Sequence, residues 1–465
     1  MNFPPIIMKF GGTSLADETA FRRVMDIVKS HRESRPIVVV SAMSRMTDAL
    51  LSSVQVALAD GARIAVDALD EHFDRHRDVA RCLLRPMAKK RYLTVIERAQ
   101  TEIAGLLQAV SLRSQSLPLL QDVIVSYGER LSAALLAEAL RGINLASQYV
   151  DARDCILTDD EHGCAAPISA QTNERTRKNL KPLVAQGVIP VLGGFIGSSR
   201  KGSTTTLGRG GSDYSAAIIG AAVDAREIQI WTDVPGVLTA DPRIVGEAYT
   251  IPRLSHAEAA ELAYFGAKVL HPKTLQPAIE HNIPVRICNS RAPLEGTTLV
   301  CAETETSPHT VKAIAHKTGV TTIQVTSARM LGAYGFLHAI FDIFNRHKII
   351  VDVVTTSEVS VSLSLDNTND LSEVIVELKA LGSVKVEENR AIVCVVGEGL
   401  RTTPGIAGRI FSMIEDINVS LISQGASQIN LTFAIDEDRV ADVVDKLHSG
   451  FFAWQNESVR AVGAA

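Results

Sequence analysis

The chain has 465 residues, and at roughly 100 to 200 residues per domain this length predicts two or three domains. Apolar residues make up 46% of the chain and charged residues 21%, a composition that excludes a disordered protein. The 47 basic residues are balanced by 52 acidic ones, giving a net charge of -5, which argues against a nucleic-acid surface built on bulk charge. We therefore expect a small-molecule partner and no nucleic acid.

The cysteines and the apolar runs narrow the class of protein further. Six cysteines are scattered without a C-x-x-C pair, so the sequence predicts neither a zinc site nor a disulfide framework. No apolar run reaches the roughly 18 residues of a membrane span, and the first residues lack a secretory apolar region. We expect a cytoplasmic protein that does not enter a membrane.

Short apolar runs rich in β-branched residues recur through roughly the first 290 residues and alternate with stretches of helical apolar spacing. This alternation predicts an α/β fold with a mainly parallel sheet covered by helices on both faces. The predicted strands are PPIIMKF, RPIVVVS, QDVIVSYG, GVIPVLGG, REIQIWTD and NIPVRIC. The predicted helical stretches include 15–31, 48–60, 62–110, 130–140 and 256–270.

Five of the predicted strands lead into glycines, small hydroxyl residues or an isolated charge. These strand ends read KFGGTS, SAMSRMT, SYGERLS, LGGF and TDVPG. Because ligands of such sheets bind at the carboxyl ends of the strands, the five ends together favour one shared pocket.

The composition changes beyond about residue 300, where the polar stretch CAETETSPHT indicates a linker. Two segments, one starting at Gly335 and one at Gly405, then align without a gap at an offset of 70, which is 405 minus 335. Each reads as a glycine, an amphipathic helix, a strand, a turn and a second strand. The repeat predicts a duplicated α+β module with antiparallel strands.

The first stretch with chemical potential is KFGGTS. Gly11 and Gly12 allow backbone N–H groups to approach a ligand closely, and Ser14 with Asp17 fits a capping box that opens the following helix. A helix N-terminus beside glycines is an anion site, to which Lys9 adds a positive charge. A simple turn with a surface lysine is the alternative interpretation.

The second stretch is TTTLGRGGSDYSAA, residues 204–217. A dinucleotide-binding loop would need glycine in place of Asp213, and the chain contains no G-x-x-x-x-G-K-[ST] loop for phosphate. Instead, three threonines supply hydroxyls, three glycines supply bare backbone and Arg209 supplies a fork that matches a carboxylate. Asp213 falls in the first turn of the next helix, so helix stabilisation or an Arg209–Asp213 pair are the structural alternatives.

Three further charged positions have both interpretations open. Glu129 is predicted at the entry of an apolar helix, where acidic residues are ordinary. Lys268 is predicted near a helix end, where a lysine suits the helix dipole, and His271 is interpreted as a loop histidine.

Six stretches carry a family resemblance in their order and spacing: KFGGTS, SAMS, SYGERLSA, GRGGSDYSAA, WTDVPGVLTADPR and FGAKVLHP. They resemble the aspartokinases of the amino-acid-kinase superfamily, and the duplicated module resembles the tandem ACT domains of that family. The likeness covers essentially the whole chain. It implies an amino-acid-kinase catalytic domain over residues 1–300 and ferredoxin-like ACT modules over 311–385 and 386–465, with the C-terminal end of the second module as a candidate to complete the first.

The resemblance implies transfer of the ATP γ-phosphoryl group to the side-chain carboxylate of L-aspartate, with Mg²⁺, as the first step of lysine, threonine and methionine biosynthesis. By resemblance, Lys9 neutralises the transferring group and Asp213 holds Lys9, while Arg209 and Glu129 bind the α-carboxylate and α-ammonium of aspartate. The remaining substrate positions are Ser41, Thr47, Gly210, Gly211 and Ser212. The ATP positions are Lys9, Gly11, Gly12, Thr232, Asp233, Leu238, Arg243, Lys268 and Val269. Leu238 stands where relatives commonly have tyrosine, and no dedicated metal cage is predicted.

The family's regulatory half implies feedback by an end-product amino acid bound at ACT domains that associate into a homodimer or a larger oligomer. The matching effector positions are Met330, Ala333, Phe336, Leu337, Val351, Asp352, Thr356, Ser357 and Glu358. Asp352 and Glu358 complement an ammonium group, which favours lysine, with threonine as the alternative; Ala333 replaces an expected serine. A kinase for another amino acid such as glutamate and a non-catalytic amino-acid sensor are the rival functions.

Overall fold

The computed structural model describes residues 4–113, 116–266, 272–302, 310–332, 334–366 and 371–462. The chain divides into two compact units. The first comprises Met1–Val237, Pro252–His256 and Val269–Glu303. The second comprises Leu238–Ile251, Ala257–Lys268 and Thr304–Ala465.

The first unit is built on an eight-stranded sheet. Its strands are β1 (Ile6–Phe10), β2 (Pro36–Val40), β3 (Ser147–Tyr149), β5 (Ile189–Gly193), β8 (Glu227–Thr232), β9 (Arg253–Ser255), β10 (Val285–Asn289) and β11 (Thr298–Cys301). Their order is β3-β5-β2-β1-β8-β10-β11-β9, and every neighbouring pair is parallel except β10 with β11. A small second sheet joins β4 (Leu157–Thr158), β6 (Ile196–Ser199) and β7 (Thr204–Thr206).

Helices surround this sheet, and every residue of β1 and β2 is buried, as expected for strands covered on both faces. The helices of this unit are α1 (Glu18–Ser30), α2 (Met46–Ala59), α3 (Ala62–Asp67), α4 (Asp70–Leu83), α5 (Pro86–Ser111), α6 (Leu117–Gly142), α7 (Ser169–Ala185), α8 (Gly211–Val223) and α10 (Pro272–Glu280). The helix α9 (His256–Tyr264) belongs to the second unit from Ala257 onward. The predicted α/β fold with a mainly parallel sheet is confirmed.

One predicted strand is wrong. QDVIVSYG lies inside α6, which starts with a proline in its first turn and continues to Gly142. Ile124 and Val125 are buried because the helix is covered on all sides, and a helix that is apolar all round gives no helical period in its sequence. Glu129 therefore lies in the middle of α6 rather than at its entry.

The start of the first long helix also differs from the predicted capping box. Residues Gly12–Leu15 form a turn of 3-10 helix, and α1 begins only at Glu18. Asp17 is itself the N-cap, because its carboxylate accepts a hydrogen bond from the Ala20 N–H at 2.8 Å.

The second unit contains a six-stranded antiparallel sheet in the order β13-β14-β12-β15-β17-β16. Its strands are β12 (Ala313–Thr326), β13 (Val351–Thr356), β14 (Ser360–Leu365), β15 (Ser383–Val396), β16 (Leu421–Gln424) and β17 (Asn430–Asp436). Its helices are α11 (Phe336–Arg346), α12 (Leu371–Leu381), α13 (Ile406–Ser412) and α14 (Val440–Val462).

The sequence repeat is visible in this unit. A glycine with a left-handed backbone conformation is the N-cap of the first helix in each copy. These residues are Gly335, with φ of 80°, and Gly405, with φ of 76°. The long strands β12 and β15 serve both copies, since Ala313–Lys317 pairs with Ile392–Val396 and Thr321–Thr326 pairs with β14. The predicted boundary at residue 385 falls within β15, and the domain limits stay a prediction. No helix in the described part of the chain combines the length and apolar character that crossing a bilayer requires.

Two glycine substitutions test the backbone assignment. Gly335→Ala forces an L side chain into the left-handed region and should destabilise the protein by ~1–2 kcal/mol. Gly105 lies inside α5 with open space where a Cβ would stand, so Gly105→Ala should stabilise it by ~0.5–1 kcal/mol. Melting temperatures from calorimetry should move in opposite directions. Equal melting temperatures for the two variants would contradict the assignment.

Candidate active site

The carboxyl ends of the central strands meet at one rim of the large sheet. Three backbone hydrogen bonds hold the chain where it leaves these strands. The Gly11 N–H donates to the Trp231 carbonyl at 3.1 Å, the Ser41 N–H to the Phe10 carbonyl at 3.0 Å and the Gly194 N–H to the Val40 carbonyl at 2.8 Å. The segments after β1, β2, β5 and β8 are therefore fixed next to one another.

Lys9 and Asp213 form an ion pair at this rim. Lys9 is the last residue but one of β1 and is only 8% exposed. Its Nζ lies 2.6 Å from Asp213 Oδ1, and both side chains are largely shielded from solvent. Asp213 stands in the first turn of α8, so the helix dipole and the lysine stabilise its charge together.

The GRGGSD loop leads directly into α8. Gly208 and Gly210 have left-handed backbone conformations. Gly210 is the N-cap residue of α8, and since glycine has no side chain, this residue supplies no side-chain cap to the N-terminus of the helix. The first N–H groups of a helix have no intrahelical partner and can bind an anion. Arg209 is exposed between these glycines, and a Cβ on Gly194 would lie 2.8 Å from Ser212. The loop thus approaches the end of β5 as closely as a glycine permits.

Glu129 is a buried carboxylate with one open oxygen. It is 3% exposed, and its Oε1 accepts a hydrogen bond from the Ala42 N–H at 3.2 Å. Its Oε2 is buried and has no hydrogen-bond partner among the described residues. Burial raises the pKa of the Glu129 carboxyl to about 8. A buried carboxylate with an open oxygen is suited to receive a cation.

Two further substrate positions lie on elements next to α6. Ser41 follows β2 directly, and Thr47 lies in the first turn of α2; both are partly exposed. A Cβ on Gly193 would lie 2.9 Å from the Cβ of Glu129, so the end of β5 contacts α6 closely.

The positions predicted for ATP in the first unit cluster at β1 and β8. Gly11 and Gly12 follow β1, and a Cβ on Gly11 would lie 3.8 Å from Lys9 Nζ. Thr232 ends β8, and its hydroxyl donates to Asp233 Oδ1 at 3.2 Å. These residues lie at the same rim as Lys9.

Sequence reasoning missed Ser290 in this cluster. Its hydroxyl lies 2.8 Å from that of Ser14 and also donates to the Thr232 carbonyl at 2.9 Å. The signal was present, because an asparagine and a serine follow the predicted strand NIPVRIC just as small polar residues follow the other strands.

The other four predicted nucleotide positions are Leu238, Arg243, Lys268 and Val269. Leu238 and Arg243 belong to the second unit. Leu238 there forms a β-bridge with Thr250, and the Arg243 guanidinium pairs with Asp241 at 2.6 Å. Lys268 and Val269 lie outside the described residues.

The predicted effector positions of the second unit gather around α11 and β13. Met330 ends a 3-10 turn, Phe336 and Leu337 begin α11, Val351, Asp352 and Thr356 belong to β13, and Ser357 and Glu358 follow that strand. The Ser357 hydroxyl lies 2.7 Å from the Ser360 hydroxyl across the turn. Ala333 lies outside the described residues.

Asp352 already has partners within its own unit. Lys317 Nζ lies 3.4 Å from Asp352 Oδ2, pairs with Asp366 and stands 4.6 Å from the ring centroid of Tyr264. The Tyr264 hydroxyl donates to Asp352. Burial first, and then the neighbouring Asp366 carboxylate, raise the pKa of Asp352 to about 8. Sequence reasoning missed both Lys317 and Tyr264, because neither lies near Asp352 along the chain.

Comparison with known proteins identifies the families of both parts of the chain. The sequence profile of the amino acid kinase family matches residues 4–289, and that of an ACT domain matches residues 393–451. The fold and site thus define an amino acid kinase with a regulatory ACT region.

Full-length relatives narrow the class. The chain is 41% identical over 459 residues to the lysine-sensitive aspartokinase 3 of Escherichia coli, covering 96% of this chain and 99% of that one. It is 37% identical to the chloroplastic aspartokinase 3 of Arabidopsis thaliana, over 96% of this chain and 81% of that one. The chain belongs to the aspartokinase family and is an ATP-dependent kinase that acts on aspartate.

Solved structures agree with that assignment. The E. coli aspartokinase III complex with aspartate and ADP, in its R-state, superimposes with a TM-score of 0.82 at 40% identity, over 96% of this chain and all of that chain. Its complex with lysine and aspartate, in the T-state, gives a TM-score of 0.81 at 40% identity, over 96% of this chain and 99% of that one.

The raised pKa of Glu129 predicts a pH dependence of stability. Between the unfolded pKa of 4.5 and the folded value of about 8, the folded protein holds one more proton than the unfolded chain. Stability from this group is therefore complete below about pH 4.5 and is lost as the pH rises through about 8. Glu129→Gln removes this dependence, so its melting temperature should gain on wild type between pH 5.5 and 8. A constant difference across this range would show that the carboxyl titrates normally.

Proposed function

We propose that the rim formed by β1, β2, β5 and β8 catalyses transfer of the ATP γ-phosphoryl group to the side-chain carboxylate of L-aspartate. A carboxylate oxygen forms a bond to the γ-phosphorus while the bond to the β,γ-bridging oxygen breaks, giving 4-phospho-L-aspartate and ADP. The aspartate carboxylate, with a pKa of ~4, is already ionised at neutral pH, so no general base is needed. The observation that carries the proposal is the shielded Lys9–Asp213 pair beside the N-terminus of α8.

The main barrier is electrostatic, because one anion must attack another while negative charge spreads over the transferring oxygens. Lys9 offsets that charge, and the nearby backbone N–H group of Gly12 adds an oriented dipole. Gly11 lets the chain pass close to Lys9, while its own N–H group donates to the Trp231 carbonyl. Asp213 keeps the lysine ammonium in place between turnovers. Its position in the first helical turn fixes the carboxylate as well.

Aspartate is recognised at both ends of its α-carbon. The exposed Arg209 clamps the α-carboxylate, since its planar guanidinium matches a carboxylate with two hydrogen bonds. The open Oε2 of Glu129 accepts the α-ammonium, whose positive charge favours the ionised form of that residue. The pocket is completed by Ser41, Thr47, Gly210, Gly211 and Ser212.

ATP lies along the β1 and β8 side of the rim in this proposal. Thr232 and Asp233 contact it there, while Leu238, Arg243, Lys268 and Val269 are the further nucleotide positions. Among the described residues no three His, Cys, Asp or Glu side chains gather as a metal cage. This fits Mg²⁺ that would be held chiefly by the nucleotide phosphates rather than by a protein cage. When bound, the ion neutralises phosphate charge.

The second unit is proposed to bind an amino-acid effector, with lysine favoured and threonine as the alternative. Asp352 and Glu358 provide carboxylates for its ammonium groups. Association of the ACT modules into a homodimer or larger oligomer stays a prediction, as does the cytoplasmic location.

The activity is tested by ATP-dependent formation of the acyl hydroxamate in hydroxylamine. Aspartate should give product and glutamate should not, and Lys9→Ala should lower turnover at least ~10²-fold, the usual scale for losing one preorganised charge donor. Circular dichroism should show that the variant is folded. A folded Lys9→Ala enzyme with near-normal kcat would remove Lys9 from the mechanism, and turnover of glutamate alone would overturn the substrate.

The contact between Lys317 and Asp352 leads to a prediction about the affinity for the effector lysine. The Lys317 Nζ lies 3.4 Å from Asp352 Oδ2, so in this proposal an incoming lysine ammonium competes with it for that carboxylate. Lys317→Met should therefore lower the lysine concentration that gives half inhibition by roughly threefold to tenfold, the scale of one ordinary hydrogen bond. Lys385→Met is the control, because its ammonium pairs with Glu387 instead. Absence of inhibition by lysine, alone or with threonine, in the wild-type enzyme would discard lysine sensing.

A further inference from the structure

A second buried carboxylate on α6 has no part in the chemistry proposed so far. Asp122 lies seven residues before Glu129, two helical turns along the same face, and is 1% exposed. It accepts four hydrogen bonds. The Thr206 hydroxyl donates at 2.6 Å and the Thr206 N–H at 3.3 Å, while His162 Nδ1 donates at 2.7 Å and the Gly163 N–H at 3.1 Å.

These donors come from two segments that adjoin the GRGGSD loop. Thr206 is the last residue of β7 and precedes Arg209 by three residues. The segment containing His162 lies against the same stretch, since the Ala165 N–H donates to the Thr206 carbonyl at 2.8 Å. A Cβ on Gly208 would lie 3.2 Å from Cys164 Sγ. One carboxylate therefore ties α6, the 162–165 segment and the start of the Arg209 loop together.

We propose that Asp122 is a positioning residue for aspartate binding, which fixes the Arg209 loop relative to Glu129. The inference rests on the proposed function, in which Arg209 and Glu129 hold the two charged groups of the same α-carbon. These groups are close together in the substrate, so a small shift of the loop separates the two contacts. α6 carries Glu129 directly and holds Arg209 through Asp122 and Thr206.

A positioning role differs measurably from a purely structural one. Asp122→Asn keeps the shape of the side chain but removes the negative charge that strengthens all four hydrogen bonds, and the Thr206 hydroxyl can then no longer donate to an oxygen if the amide oxygen faces the three N–H donors. The aspartate KM should rise roughly tenfold, the scale of a lost hydrogen bond to a charged group, with kcat and the ATP KM within about twofold of wild type. A general loss of structure would instead raise both KM values and lower kcat.

Asp159→Asn is the matched control. Asp159 lies three residues before His162, and its carboxylate accepts hydrogen bonds from the Glu161 and Ala166 N–H groups at 3.2 and 3.0 Å. These contacts stay within residues 159–166, so the aspartate KM of this variant should match wild type. An equal rise in both variants would overturn a specific role for Asp122.

A second pair keeps the test decisive even where Asp122→Asn does not fold. Thr206→Val removes the donated hydroxyl at nearly constant shape, and Thr206→Ser restores it. The aspartate KM should rise for Thr206→Val and return close to wild type for Thr206→Ser, with the ATP KM unchanged in both. Identical values for these two variants and wild type would overturn the inference.

Arg209→Ala, measured alongside, separates this inference from the proposed function. It should raise the aspartate KM with little change in the ATP KM, because Arg209 contacts only aspartate in the proposal. An unchanged aspartate KM in Arg209→Ala would overturn the role of Arg209 and the inference with it. A raised value there, with no effect of Asp122→Asn or Thr206→Val, would overturn the inference alone.

Discussion

The structure of the site depends on one ion pair, between Lys9 and Asp213. A lysine inside a buried strand is unfavourable unless a nearby anion compensates its charge, and removing one partner of such a pair is costly. Asp213 supplies that anion from the first turn of α8, at 2.6 Å. The pair consequently links the central strand to the helix that follows the glycine loop, and it keeps a positive charge at the rim where the phosphates of ATP are proposed to lie.

The carboxylates of the first unit show how environment assigns roles to one chemical group. Asp213 has a cation next to it and serves to hold that cation. Asp122 is surrounded by four N–H and O–H donors and ties backbone segments together. Glu129 has a single donor and an open oxygen, and burial raises its pKa to about 8. Of the three, Glu129 is the one left able to receive a positively charged ligand.

Much of this arrangement could be predicted from the sequence. Short apolar runs rich in β-branched residues predict five of the parallel strands, namely β1, β2, β5, β8 and β10. The repeat that starts at Gly335 and Gly405 predicts the duplicated module. The centre of α6 could not be predicted from the spacing of apolar residues, because a helix that is buried on all sides lacks the polar face that marks an amphipathic helix. That error also concealed Asp122, whose relation to Glu129 appears only when both residues lie on one helix. Contacts such as Lys317 with Asp352 join residues far apart in sequence and leave no local signal.

The shared strands of the second unit have a consequence for how the protein is made. Ala313–Lys317 pairs with Ile392–Val396, and β17 then covers the other edge of β15. Most of the second unit must therefore leave the ribosome before this sheet can close, because strand partners distant in sequence meet late. The first half of the repeat therefore cannot complete its sheet during synthesis until β15, which serves both halves, has emerged.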